Sequence, residues 1–528
     1  MQLKSIISQL QSKWLIIILI LGLIFRCVNL DQKVYWVDEV ATRLRIYGYT
    51  QTEFVQEISK KPVITITDLQ QYQKPGKRTF QDTIYALTQS PEHAPLYFIL
   101  VKFWVQIFGS SMMAIRSLSI VLSLLAFPCL YWLCLALFHL PIVGKIAVAL
   151  WSVSPFYVAY AQEARPYSLW VVTILLSSLT LLKTIRFNTL QTWGLYALTL
   201  TLGLYTSLLS IFLWVAQTVY LLALEKFKIN QKFRSYVIAS TLSFLSFTPW
   251  LWVMLKNWDN LQDNTIWMRV HLDFLFMIPL WIYNTFILFI ESPVSLDASV
   301  IPRIILDFNL LILVLTSLVC LYRQTPQKTW LYVLSLMIIP YIILILSDLI
   351  LGGQLSTAAR YIIPYHLGIN LAVAYGFSYQ LNFNKLANPT YRKIWKIILI
   401  GVLFIGIFSC IYLVNTSPKY QKTRNLSNIP IAQIINQIES PIIIAEKSQM
   451  IDILSLSYLL KPNTKIYNAK TFNFSNTCQS LFLFNPSQQL QTELLKQNTL
   501  KLDQVYKPKL LIPSEIYLSL WTVKNSCS

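Results

Sequence analysis

Long apolar runs broken only by short polar joints dominate this chain, and they leave it few folds to choose from. An apolar run of about 18 or more residues crosses a bilayer as a helix. The hydrocarbon offers no water to the backbone, so such a run has to satisfy its own hydrogen bonds, which a helix does within one segment. The spans expected this way number about eleven: 14–30, 113–138, 142–161, 167–185, 193–205, 208–224, 236–255, 304–322, 331–351, 361–380 and 394–414. Composition agrees. Of 528 residues, 55% are hydrophobic and 12% are charged, about half the charged share of a soluble domain. The first apolar run has no small-residue cleavage site after it, so it is expected to stay as a helix rather than serve as a signal peptide.

The formal charge of +20 would suggest nucleic acid in a soluble protein. Here most Lys and Arg flank the spans, which suits membrane lipids and the control of topology; no nucleic acid is expected. Basic joints belong on the cytoplasmic side. These are Lys183/Arg186, Lys226/Lys228/Lys232/Arg234, Arg323/Lys328 and Lys385/Arg392/Lys393/Lys396, with Lys4 and Lys13 at the N-terminus. All agree only if two further apolar stretches, 95–109 and 274–290, do not cross. The first is too short and is expected to lie as a helix in the outer interface. The second is long enough, and is excluded because no Lys or Arg flanks its far side.

The expected fold is therefore an all-α polytopic membrane domain over residues 1–415, with an external loop at 31–112, followed by a small external α/β domain over 416–528. In that tail, segments at Pro441, Thr464, Ser480 and Ile516 read as strands and MIDILSLSYLL and QQLQTELLKQ as helices, which suggests a mostly parallel sheet. Seven cysteines show neither a CxxC pair nor metal-ligand spacing. Only Cys478 and Cys527 lie outside apolar runs. An external tail is in an oxidising space. If the last strand runs antiparallel to the one at Ser480, the two come within the Cα separation of about 4.4–6.8 Å that a disulfide needs; two unpaired surface thiols are the alternative.

Four polar patches fall on the outer face by this topology. Asp38-Glu39 follow the first span; a pair of first-turn carboxylates on a helix is the plain alternative to a catalytic pair. Gln162-Glu163-Ala164-Arg165-Pro166-Tyr167 joins two spans, and an interfacial ion pair would explain it equally well. Ser90-Pro91-Glu92-His93-Ala94-Pro95 precedes the interfacial stretch. Ala359-Arg360-Tyr361 opens a span, where Arg360 would either anchor to lipid head groups or hold a phosphate. Four histidines without HxH or HExxH spacing give no metal site. No phosphate-binding glycine loop, Walker pattern or GxSxG occurs.

Taken in order, these residues resemble the GT-C glycosyltransferases, and within them the protein O-mannosyltransferase and aminoarabinose transferase branch, glycosyltransferase family 39. The family carries an Asp-Glu pair just after its first span, which Asp38-Glu39 match. Its H-P-P-L segment opens an interfacial helix ending near L-F-G. Here that segment reads HAPLYFILVKFWVQIFGSSMMAIRSLS: His93, Pro95, Leu96, Gly109, Arg116 and Leu118 match, and Ala94 replaces the first proline. Gln162–Leu169 fits the Q-E-A-R-x-Y-x-L turn of bacterial members, and Arg360, Tyr361 and Pro364 fit a later R-Y-x-x-P. The resemblance covers residues 10–415 and leaves the tail outside.

The resemblance implies a polyprenyl-phosphate sugar donor and a lipid, glycan or protein acceptor. Asp38, with Glu39 beside it, is the implied base for an acceptor hydroxyl. A lipid phosphate leaves as a stable anion, so no second carboxylic acid is needed. Positive charge is needed, from Arg165 or Arg360. Glu163 would orient Arg165 or bind an acceptor or metal, and His93, Tyr167 and Tyr361 complete the donor-phosphate and acceptor set. No metal is assigned; the family is mixed in its use of divalent ions, and no DxD-type cluster is present. The bacterial plasma membrane is the expected location, with the N-terminus cytoplasmic. The rival readings are a lipid or sugar transporter or flippase and a membrane scaffold. A transporter would show internal repeats and midplane charges. Asp348 is the one exception here, and it sits near the outer end of its span. Retention of Asp38, Glu39, Glu163, Arg165 and Arg360 together argues against a scaffold.

Overall fold

A computed structural model describes residues 2–291, 301–384, 388–416, 423–472, 474, 481–496, 500–508 and 517–525. It divides into two compact units: Met1–Leu30, Pro91–Tyr97 and Met112–Thr416 form one, and Asp31–Ser90, Phe98–Ser111 and Ser417–Ser528 the other.

The first unit is helical. Helices occupy all the expected spans, but among the described residues six single helices are long and apolar enough to cross a membrane, Met112–Phe138, Tyr167–Phe187, Gln231–Lys256, Arg303–Gln324, Gln327–Leu351 and Pro389–Asn415, and a bent pair makes up to seven. The figure of about eleven is thus not reproduced. Leu190–Thr206, Ser210–Leu224 and Ile363–Ser378 have 17, 15 and 16 residues, fewer than the ~20 of a full crossing. The helix Phe274–Phe286, which lies in the stretch excluded as a span, has 13 residues. Outer faces stay apolar: Ile238, Leu242 and Leu245 on one helix and Ile397, Phe404 and Phe408 on another are exposed. In water that would be an aggregation surface, and in lipid it is the favoured face. The chain is a multi-pass membrane protein.

One span is broken. Pro141–Ser152 and Pro155–Ala161 meet at 63°. Pro155 has no amide hydrogen to continue the first helix, and it starts the second well because its φ is preset. A break inside a membrane domain needs donors for the freed carbonyls, and Arg26 supplies them. Fully buried, it donates through Nη1 to the Ser152 and Gly22 carbonyls (2.8 Å each), through Nη2 to the Trp151 carbonyl (3.2 Å) and through Nε to Ser123 Oγ (3.0 Å). The Cys410 thiol points to the Val153 carbonyl at 3.3 Å. Two glycines allow the close approach: a Cβ on Gly22 would fall 2.8 Å from Ser152, and one on Gly406 would fall 2.6 Å from the Val153 carbonyl oxygen.

The second unit holds a six-stranded sheet: β1 (Ile64–Thr65), β2 (Ile442–Ala445), β3 (Lys465–Asn468), β4 (Leu481–Phe484), β5 (Leu500–Tyr506) and β6 (Leu520–Asn525), in the order β1-β3-β2-β4-β6-β5. β3, β2 and β4 are parallel, and the other pairings are antiparallel. The four expected strands and two expected helices of the tail are present; β5 was not foreseen. The sheet is mixed rather than mostly parallel. β4 is buried at every position, as a central strand covered on both faces should be. Leu481 pairs with Val523 and Phe484 with Leu520, antiparallel as expected. Cys478 and Cys527 lie outside the described residues.

The tail does not make up its compact unit alone. Loop residues 31–90 and 98–111 belong to the same unit as the tail. The physical reason is the sheet edge: β1 from the loop pairs with β3, capping backbone groups that the tail alone would leave open.

Candidate functional site

In the helical unit, the turn after the broken span carries Gln162, Glu163 and Arg165, all buried, and Tyr167 starts the next helix. Gln162 Nε2 donates to the Phe25 and Val28 carbonyls at 2.8 and 3.0 Å, which ties the turn to the end of the first helix. The Arg165 amide donates to the Glu163 carbonyl at 2.8 Å, so the two side chains leave one tight loop. The Arg165 guanidinium lies 5.9 Å from the Tyr167 ring centroid, and the Tyr160 and Tyr167 rings meet edge-on at 4.9 Å.

Arg360 and Tyr361 sit on a short 3-10 turn, Ala359–Tyr361, just before the helix that Pro364 helps to start. A preceding loop holds this turn. The Asp348 carboxylate accepts from the Leu355 and Ser356 amides at 2.8 and 2.6 Å, Trp281 Nε1 donates to Ser356 Oγ at 2.9 Å, and Asn284 Nδ2 donates to the Thr357 carbonyl at 2.6 Å. Asp348, near the end of its helix, therefore orders a loop. The Arg360 guanidinium stacks at 5.3 Å from the Trp267 ring and 5.2 Å from the Tyr361 ring.

These two turns, far apart in sequence, converge. Tyr160 is buried and packs edge-on against Tyr167, and both line one small cavity with Ile363, two residues after Tyr361; Glu163 and Arg360 lie close enough to bear on the Tyr160 hydroxyl. One carboxylate, one guanidinium and three phenols thus share a neighbourhood, with Arg165 beside Tyr167. Tyr160 was not foreseen, because in sequence it is one aromatic in an apolar run. His93 belongs to the same unit but sits beside Glu92, with Nε2 3.5 Å from Oε1. Asn264 Nδ2 donates to the other Glu92 oxygen at 3.1 Å, and Trp250 Nε1 donates to the Pro91 carbonyl at 3.2 Å.

Asp38 and Glu39 lie in the second unit, in the first turn of Val37–Ile46. Their charge suits that helix end. The N-cap is Trp36, so neither carboxylate is the capping residue. Glu39 is fully buried, whereas Asp38 is partly exposed. The helix is pinned by Arg43, one turn beyond Glu39. Arg43 donates to the Tyr458 hydroxyl at 3.1 Å and to the Gln73 and Ser110 carbonyls at 2.8 and 3.1 Å. The Tyr458 hydroxyl donates to Gln73 Oε1 at 2.9 Å, and the Tyr35 and Tyr458 rings meet edge-on at 4.9 Å. Burial pushes both phenols above their ordinary range, Tyr35 well above it, so both stay neutral around pH 7. Arg43 was also missed in the sequence. Its only signal was the four-residue spacing from Glu39 on a short helix.

Among the described residues no group of three or more His, Cys, Asp or Glu could hold a metal ion.

Comparison with known proteins follows this geometry. Residues 92–253 match the family described as dolichyl-phosphate-mannose-protein mannosyltransferase; the match takes in His93, Glu163, Arg165 and Tyr167. No curated protein sequence matches the chain. Among solved structures, ArnT from Cupriavidus metallidurans, crystallised bound to undecaprenyl phosphate and in the apo state, is similar over 97% of this chain and 98% of its own. Its TM-score is 0.50 and its identity 12%. The Archaeoglobus fulgidus oligosaccharyltransferase is similar over 86% of this chain and 64% of its own, at 12% identity and a TM-score of 0.49. The match at residues 92–253 and the full-length likeness to ArnT identify this chain as a membrane protein with the fold of the GT-C glycosyltransferases.

Proposed function

We propose that this chain transfers a sugar from a polyprenyl-phosphate donor to an acceptor hydroxyl at the external face of a bacterial plasma membrane, with inversion at the anomeric carbon. The observation that carries the reading is that the Glu163–Arg165 turn and the Arg360–Tyr361 turn meet at Tyr160: its ring packs edge-on to Tyr167, the Arg165 guanidinium lies over Tyr167, and Ile363, just after Tyr361, lines the same small cavity as Tyr160 and Tyr167. A cation held by stacking beside hydroxyl donors suits a phosphate. The structural neighbour ArnT was crystallised with undecaprenyl phosphate, which supports a lipid-phosphate ligand. The acceptor class, lipid, glycan or protein, stays open in this proposal.

In the proposed reaction the acceptor oxygen bonds to the anomeric carbon as the bond from that carbon to the phosphate oxygen breaks. The acceptor proton passes to Asp38, and the leaving polyprenyl phosphate keeps the electron pair. Asp38 suits the base better than Glu39 because it is the less buried of the two. Glu39 would then support the helix that presents it. Arg360 would hold the leaving phosphate, with Arg165 as second cation, Glu163 orienting Arg165, and His93, Tyr167 and Tyr361 lining the donor and acceptor positions.

The test is turnover. Purified protein in lipid, given radiolabelled polyprenyl-phosphate sugars and a panel of hydroxyl acceptors, is expected to release polyprenyl phosphate only when an acceptor is present. Movement of the labelled lipid between leaflets without bond cleavage would overturn the proposal in favour of a flippase.

A further inference from the structure

A second site-like feature lies in the helical unit, away from the turns described above. The C-terminal ends of Met112–Phe138, Tyr167–Phe187 and Ser210–Leu224 and the start of Gln327–Leu351 surround a cavity of about 980 Å³. These are all ends of apolar helices, so the cavity opens where hydrocarbon gives way to head groups. Leu135, Leu179, Leu182 and Leu224 line it together with Lys183, Arg186, Lys328 and His139, and these last four are exposed, which puts them toward its mouth. No carboxylate is among the residues that line it. Glu225, which caps the helix Ser210–Leu224, accepts from Asn230 Nδ2. The floor is fixed: the Thr329 hydroxyl donates to the Leu137 carbonyl at 3.0 Å, and buried Tyr220 meets Tyr332 edge-on.

Charge placement is the telling part. Lys183 and Arg186, three residues apart on one helix, lie on one face near its C-terminus, where the helix dipole welcomes cations. Lys328 is in the first turn of its helix, where the dipole disfavours a cation. Three basic side chains around one apolar cavity, with no acid among the lining residues, favour an anion there. A phosphate meets that need, and a guanidinium can grip two of its oxygens at once. A bare phosphate would leave the apolar wall wet, whereas an acyl chain would cover it.

We propose that this cavity binds an anionic phospholipid, with its phosphate among Lys183, Arg186 and Lys328 and an acyl chain along the leucine wall. The probe is phosphatidylglycerol with a photoactivatable diazirine in one acyl chain, doped into phosphatidylcholine vesicles that hold the full chain. Crosslinks are expected on residues 132–137 and 179–187, displaced by unlabelled phosphatidylglycerol and not by excess inorganic phosphate. Each cation near an anionic head group contributes about a factor of five, so Lys183→Gln/Arg186→Gln/Lys328→Gln should weaken labelling on the order of a hundredfold. Leu182→Trp, which narrows the cavity at its leucine wall and leaves the charges in place, should also weaken labelling there. Lys226→Gln/Lys228→Gln/Lys232→Gln, in a basic joint outside the cavity, should leave it unchanged. Equal labelling by a phosphatidylcholine probe, or undiminished labelling in both the triple variant and Leu182→Trp, would overturn the proposal. Displacement by inorganic phosphate would overturn the lipid assignment in favour of a free-anion site.

Discussion

Replacing Arg26 with Met tests whether the broken span depends on its buried clamp. Met keeps much of the length and apolar character of the stem but none of the donors. Four hydrogen bonds go with the guanidinium. The Gly22 carbonyl keeps its bond to the amide one turn on, and the Trp151 carbonyl keeps a weak one from the Ser154 amide at 3.3 Å. The Ser152 carbonyl loses its charged donor in a buried position, a cost of about 1–3 kcal/mol. Polar contacts between membrane helices average about 0.6 kcal/mol each, so four give roughly 2.4 kcal/mol. Relief from burying a charge returns part of this. The expected net loss is about 2–4 kcal/mol, measured as reversible unfolding in mixed micelles by tryptophan fluorescence. Glycosyl transfer should fall as well, because the break sets the position of the Glu163–Arg165 turn. An unfolding free energy within about 0.5 kcal/mol of the parent, the range of a neutral surface change, would refute the clamp.

Asp38→Asn should remove turnover by about 10²–10⁴-fold, the usual share of a general base, with the unfolding midpoint unchanged; near-normal turnover would dismiss Asp38 as base. Arg360→Ala should weaken donor binding by about tenfold or more, since a hydrogen-bonded charge contributes about 1.5–3 kcal/mol; isothermal binding of polyprenyl phosphate reads this, and unchanged affinity rejects the role. A reporter active only in the cytoplasm, fused after Ser528, should stay silent if the tail is external. Asp68 closes a capping box with Thr65 and pairs with Lys61. Its slight burial pushes the carboxyl up, but the Lys61 and Thr65 bonds outweigh this and hold it below the ordinary carboxylate value. Its stabilisation is therefore complete above about pH 4 and lost as pH falls through the lower folded value. Hydrogen exchange of amides 61–72 should quicken only in that acid range, and Asp68→Asn should remove the step.

Much of the helical unit was legible as composition. Apolar length fixes where a bilayer accepts a helix, and helices occupy every stretch so chosen. Length alone does not say whether a helix crosses. Leu190–Thr206, Ser210–Leu224 and Ile363–Ser378 are apolar and short, and hydropathy cannot tell a short span from a buried connecting helix. The tail strands showed themselves as β-branched and aromatic runs between polar punctuation. β1, two residues of the first loop, gave no such signal, because its strand character comes from the β3 edge it meets.

The sequence by itself determined the chemistry on offer: a multi-pass apolar scaffold, Asp38 and Glu39 after the first span, and the Glu163–Arg165 and Arg360–Tyr361 turns at helix ends. These follow from residue type and local spacing, which a chain carries wherever it folds. Tertiary structure alone decided which of them meet. It set the Glu163 turn and the Arg360 turn around Tyr160, made Asp348 a loop anchor, and placed Asp38 and Glu39 on a helix held by Arg43, Gln73 and Tyr458. It also brought Gly22, Arg26, Gly406 and Cys410 to one break in one span. Such meetings depend on carbonyls, ring faces and glycine clearances that exist only once distant segments pack. No window of sequence contains both sides of those contacts.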